Sequence, residues 1–194
     1  MMKTRNMIPV SLVCGIALTL CAQKAVAPPP KPADSGPTLA VTMQFIQGKL
    51  SDIGKVNYVG FYQNTTDGST FSNTYTNAVS NVFADQSQCR ISYHWTTTTD
   101  GVPKEDANHW IPLNDVQNIV VKPFAQYQTE MNAIGGLPNF ITTSTNPPLT
   151  ALVVRRPHGL ENWFPFTDAD LADRVAKAIT HAIELCGGGN KEPF

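Results

Sequence analysis

The chain carries no phosphate-binding glycine loop, no dinucleotide glycine pattern, no nucleophile elbow and no zinc-protease helix motif. The local signatures of nucleotide, α/β-hydrolase and metalloprotease chemistry are therefore missing. Charge is also sparse, at 15 % of residues with a formal net charge of −1. Setting Lys3, Arg5 and Lys24 aside lowers the net charge to −4, a mild acidity that gives no electrostatic case for nucleic acid or an anionic membrane as partner. Cysteine is scarce: of four, only Cys89 and Cys186 lie beyond the N-terminal segment. Gly187-Gly188-Gly189 follows a helical pattern instead of preceding one, so it reads as a helix stop and not as an anion site. No cofactor is implied by any of these features.

What is present begins with an export signal. Lys3 and Arg5 precede an uncharged apolar stretch from Met7 to Leu20, followed by Ala25-Val26-Ala27. The stretch is shorter than the roughly 20 residues that span a bilayer. Residues 1–27 are therefore expected to be removed, leaving no integral membrane span in the mature chain and a periplasmic or secreted location. Pro28 disfavours cleavage after Ala27 and makes Ala22 the alternative end. Leu20 stands where a lipoprotein signal needs a small residue, so a lipid anchor on Cys21 is not expected. Residues 28–37 are proline-rich and read as an extended spacer. Residues 38–188 remain as a single domain, with a tail from 189 to 194.

Within the domain, Leu39, Met43, Ile46, Leu50 and Ile53 recur at helical spacing, with Thr38 and Gly54 as caps. A period of two follows in Val56, Tyr58 and Tyr62; Asn64 to Gly68 supplies a turn, and Phe71, Tyr75 and Val79 continue on a second strand. Cys89, Ile91, Tyr93 and Trp95 share one face of a third strand, which Asp100-Gly101 turns back. Residues 124–148 show no sustained period and read as a long loop or partly helical excursion. Ala151 to Val154 is the most apolar strand. Thr167 opens a last helix in which Leu171, Val175, Ala178, Ala182 and Cys186 share a stripe, and Asp168, Asp170 and Asp173 suit its N-terminal end. The fold class is α+β: a bent antiparallel sheet or partial barrel with an N-terminal amphipathic helix and a C-terminal capping helix.

In an oxidising compartment the two remaining thiols predict a Cys89–Cys186 disulfide; two buried, reduced thiols are the alternative. His94 and His109 would face one another across a hairpin if residues 100–103 formed its loop, yet no third metal ligand is evident. Arg155, with His158 nearby, could bind a carboxylate or phosphate, although Arg155 and Arg156 point to opposite faces of a strand. Pairing with a neighbouring Asp or Glu is the plainer reading of Arg155. Asn64-Thr65-Thr66 matches a glycosylation sequon and is read as a turn.

Leu113-Asn114-Asp115-Val116 and the helix entry Phe164-Pro165-Phe166-Thr167-Asp168 resemble segments of pleckstrin-homology-like domains, which implies a bent antiparallel sheet capped by one C-terminal helix. The headgroup function of that family does not carry over, because Thr97 to Asp106 holds Lys104 alone against Asp100, Glu105 and Asp106. The whole mature chain also resembles a group of exported bacterial proteins of unknown function. The matching stretches are Thr42 to Gln47, Cys89 to Trp95, Val153 to His158 and Leu185 to Gly188. The leading expectation is an exported, non-enzymatic domain that binds a peptide, protein or small ligand. A small exported hydrolase using His94, His109, Arg155 and the 124–148 segment is the first alternative, and a cell-envelope scaffold the second.

Overall fold

A computed structural model describes residues 36–188. The residues read as an export signal, 1–27, those of the expected spacer up to residue 35 and the tail 189–194 lie outside the described residues. The Thr38 hydroxyl accepts a hydrogen bond from Val41 N at 3.4 Å and opens helix α1, Leu39–Ile53. Its Met43, Ile46 and Leu50 are buried, while Leu39 and Ile53 pack half-buried on the same core. The expected stripe therefore faces inward. Gly54 ends the helix at φ 53°, a left-handed conformation that a β-carbon would strain.

Four strands then run back and forth: β1 (Lys55–Asn64), β2 (Thr70–Asp85), β3 (Arg90–Thr99) and β4 (Val102–Pro112). After β5 (Asn118–Pro123) and helix α2 (Phe124–Ile134), strand β6 (Phe140–Asn146) returns to pair with β1. The first sheet thus has the order β4-β3-β2-β1-β6. Strands β7 (Thr150–Arg155) and β8 (Glu161–Phe166) join β5 in a second, antiparallel sheet of order β5-β7-β8. Helix α3, Ala169–Leu185, completes the domain. The fold is α+β, with two sheets that do not close into a barrel.

Strand β7 explains its own composition. Leu152 and Val154 join the main core under α1 and α3, whereas Ala151 and Val153 face a second cluster with Tyr58, Phe124 and Tyr127. A central strand covered on both faces has no polar side to alternate with. In α3 the Asp168 side chain accepts hydrogen bonds from Asp170 N and Leu171 N at 2.9 and 3.2 Å, so Asp168 and not Thr167 is the cap. The seam that packs is Ala172, Val175, Ile179, Ala182 and Ile183, with Leu171 and Ala178 at its margin. The expected stripe is thus displaced around the helix toward its former flank. Among the described residues no helix is long and apolar enough to cross a membrane.

Cys89 and Cys186 are bonded, with Cα atoms 5.8 Å apart. Cys89 does not open β3 as its sequence context suggests; it sits in the preceding turn at φ 47°. Cys186 caps α3, and Gly187 follows at φ 74°, the left-handed stop expected of this glycine run.

Of the two readings of 124–148 the partly helical one holds, with a strand, β6, in its second half. Phe124, Tyr127, Met131 and Ile134 fall at spacings of three, four and three, and residues 124–134 are helical between Pro123 and Gly135. Only Phe124 and Tyr127 of that series are buried. The Thr129 hydroxyl accepts a hydrogen bond from Thr142 N at 2.8 Å and ties α2 to β6.

Candidate functional site

The β1–β2 hairpin places every second side chain on its inner face. There Tyr58 lies opposite Tyr75, Gly60 opposite Asn73 and Tyr62 opposite Phe71. Gly60 makes room here, since a β-carbon at that position would stand 2.7 Å from the Tyr62 hydroxyl and the ring would have to shift. The freed space lets the Tyr62 ring lean along the strand, and its hydroxyl donates to the Tyr75 hydroxyl at 2.7 Å. Phe71 stacks on Tyr62 at 5.0 Å and meets Phe140 of β6 edge-on at 5.7 Å.

Helix α2 and the loop after it form the opposite wall, through Gln128, Asn132 and Leu137. Between the walls lies a cleft of about 360 Å³, within the range of small-ligand sites. Its floor is aromatic: Tyr62, Phe71, Tyr75 and Phe140. Three carboxamides supply the polar positions. Asn73 Nδ2 donates to the Tyr75 hydroxyl at 3.3 Å and Asn132 Nδ2 to Phe140 O at 3.0 Å. Gln128 Oε1 is buried without a hydrogen-bond partner. No carboxylate, ammonium, guanidinium or imidazole lines the cleft. Phe71, 43 % exposed, and Leu137, 52 % exposed, stand at its mouth.

The residues singled out from sequence lie elsewhere. Arg155 Nε meets Glu161 Oε1 at 2.6 Å and its Nη2 lies 3.7 Å from Glu130 Oε2, so neighbouring carboxylates engage it. Glu130 also takes Lys122 Nζ at 2.7 Å; that hydrogen bond holds its carboxyl below the usual carboxylate range. His158 is exposed in the turn between β7 and β8, at φ 63°.

The histidine pair is corrected. The β3–β4 turn is the two residues Asp100 and Gly101, at φ 50° and 76°, the twin left-handed pair of a tight hairpin. A bulge at Thr97/Thr98 then shifts the register, so that Tyr93 pairs with His109 and His94 with Asn108. Successive residues of a strand point to opposite faces, which puts the two imidazoles on opposite sides of the sheet. His94 Nε2 lies 3.0 Å from Asp106 on the outer side, whereas His109 stacks on the buried Tyr93 ring at 5.4 Å. Among the described residues no group of three His, Cys, Asp or Glu side chains could hold a metal ion. The set His94, His109 and Arg155 is therefore not brought together.

The sequence carries the signal for the aromatic floor of the cleft and for α2, though not for the cleft itself. Tyr62, Phe71 and Tyr75 extend the period of two, and α2 has an apolar repeat; their juxtaposition depends on β6 crossing back to β1.

Burial raises the phenol of Tyr58, of Tyr62 and of Tyr127 above the ordinary tyrosine range, and pushes Tyr93 up to about 12. The folded values are raised, so the stabilisation they report is complete below about pH 10, where the unfolded chain's phenols are neutral, and is lost as pH climbs through the folded values. An alkaline titration is expected to show tyrosinate absorbance from these four rising together with loss of near-ultraviolet circular dichroism. Ionisation of all four near pH 10 with the dichroism intact would contradict their burial.

Comparison with protein-family models, with curated proteins and with solved structures finds no match for this chain.

Proposed function

We propose that the protein is an exported, non-enzymatic binding domain and that its ligand is an uncharged ring-bearing molecule rich in hydroxyls, of which a sugar is the simplest kind. The observation that carries this reading is the cleft between the β1–β2 hairpin and α2, with aromatic faces below, carboxamides on its walls and no charged side chain. Aromatic faces attract the apolar C–H side of a ring. Carboxamides offer both donors and acceptors to hydroxyls. Gln128 Oε1 is already desolvated and unpaired, so a ligand donor would relieve a standing cost. Export, to the bacterial periplasm or beyond, is supported by the N-terminal segment and by a disulfide of the kind oxidising compartments favour.

The likeness of the second half to pleckstrin-homology-like domains is, on this proposal, one of architecture, supported by the C-terminal helix entered at Asp168. It brings no headgroup specificity, since Lys104 stands among Glu105, Asp106 and Asp100. The hydrolase alternative lacks support from the separated histidines.

Saturation-transfer NMR on the full chain against a panel of neutral mono- and disaccharides tests the reading. At least one sugar is expected to receive saturation, and Phe71→Ala, a change at an exposed ring, is expected to abolish the transfer while the protein stays folded. Transfer that survives Phe71→Ala unchanged, or none to any sugar of the panel, would set the proposal aside.

A further inference from the structure

A second, smaller cavity of about 110 Å³ opens between the two sheets, where β3 and β4 face β8. It lies apart from the aromatic-amide cleft and shares no lining residue with it. Its walls are the rings of Tyr93, Trp95 and Trp163, with the two indoles edge-to-face at 4.9 Å. The polar lining comes from Glu105, His109, Glu161 and Asn162.

Among the described residues, three buried polar atoms without a hydrogen-bond partner belong to this lining. Asn162 is 4 % exposed and spends its Nδ2 on the Tyr93 hydroxyl at 2.8 Å, leaving Oδ1 buried and unpartnered. Glu161 uses Oε1 for Arg155, and its Oε2 is buried without a partner. His109 Nε2 approaches Glu105 Oε1 at 2.9 Å without hydrogen-bond geometry, so it too is unsatisfied. The two idle oxygens are acceptors, and a further carboxylate, Glu105, stands at the rim with its side chain 43 % exposed.

Acceptors that are buried and unpaired call for a donor. One of the two is a carboxylate oxygen and a second carboxylate, Glu105, stands at the rim, which favours a positive donor, and indole and phenol faces add an attraction for a cation that a neutral donor would not feel. An alkylammonium has three donors on a compact charge and a narrow apolar stem, and the cavity has room for such a head with its first methylenes. We infer that the cavity between β3, β4 and β8 is a binding site for a primary alkylammonium group, with Asn162 Oδ1 and Glu161 Oε2 receiving its protons, Glu105 closing the rim and Trp95 and Trp163 flanking the stem. The group can belong to a lysine side chain or to a free alkylamine.

Titration of the full chain with n-butylammonium and, separately, with Nα-acetyl-lysine amide, followed by tryptophan emission, tests this; Nα-acetyl-norleucine amide serves as the uncharged control. A saturable shift with either ammonium compound and none with the control is the expected result. Response to the lysine derivative over butylammonium assigns the site to peptides, and the reverse order to free amines. Glu105→Gln, a change at a partly exposed side chain, is expected to weaken binding about tenfold or more, the usual loss for a charge-assisted hydrogen bond. Its near-ultraviolet circular dichroism should match that of the parent. No saturable shift with either ammonium, an equal shift with the norleucine control, or unchanged affinity in a folded Glu105→Gln would overturn the inference. Phe71→Ala, which acts on the other cleft, should leave this titration unaltered.

Discussion

Truncating Ile46 to alanine is expected to lower the free energy of unfolding by about 2–5 kcal/mol, the usual range for removing a large aliphatic side chain from a packed interior. Ile46 is 0 % exposed and belongs to the core that α1 shares with α3 and the inner faces of both sheets. Little there can collapse into the space, because Met43 and Leu50 are equally enclosed on the same helix. Val41 provides the internal control: it lies on α1 but is 55 % exposed, so Val41→Ala should change stability by no more than about 0.5 kcal/mol. Urea unfolding should show a lower midpoint for Ile46→Ala with an unaltered slope. Equal midpoints for the two variants would mean that α1 contributes nothing to the core.

Removing the Cys89–Cys186 bond should cost about 2–4 kcal/mol. The bond joins residues separated by 97 positions, so in the unfolded chain it closes a long loop and withdraws much conformational freedom. In the folded chain it fastens the end of α3 to the turn before β3, where Leu113 N also donates to Cys89 O at 2.8 Å. The double variant Cys89→Ala/Cys186→Ala avoids a lone thiol and should unfold at lower urea while keeping its native far-ultraviolet spectrum. Peptide mapping without reductant gives an independent reading. A linked pair of peptides is expected, and free thiols at both positions in protein isolated from an oxidising compartment would refute the bond.

The parts of this fold legible in the sequence are those determined by nearby residues. α1 shows in a five-residue apolar repeat between a threonine and a glycine, and β1, β2 and β3 in alternation bounded by turn residues. The less legible parts depend on distant pairings. Sequence spacing alone cannot show that β4 carries one extra residue opposite Thr97 and Thr98, yet that residue decides whether His109 faces His94 or Tyr93. The cleft was hidden for the same reason. Gly60 pairs with Thr145, and only after that return does α2 lie over the hairpin with Gln128 and Asn132 turned toward Tyr62 and Tyr75. Gln128 and Asn132 are ordinary helix-surface residues by pattern and Asn73 an ordinary strand residue, and three-dimensional position alone distinguishes them.

Strand β4 has a neighbour on one side only, and an outermost strand presents a row of free amides and carbonyls that can template pairing between molecules. Its exposed half reads Val102-Pro103-Lys104-Glu105-Asp106. Proline withdraws a donor from the row, the bulge at Lys104 bends the strand out of line, and three successive charges of mixed sign keep a second copy from docking flush. The opposite margin, β6, is overlaid by α2 through Thr129 and Asn132 and runs directly into Pro147-Pro148. The run of charged residues that is unsuited to gripping phosphate thus stands where it opposes edge-to-edge pairing of β4.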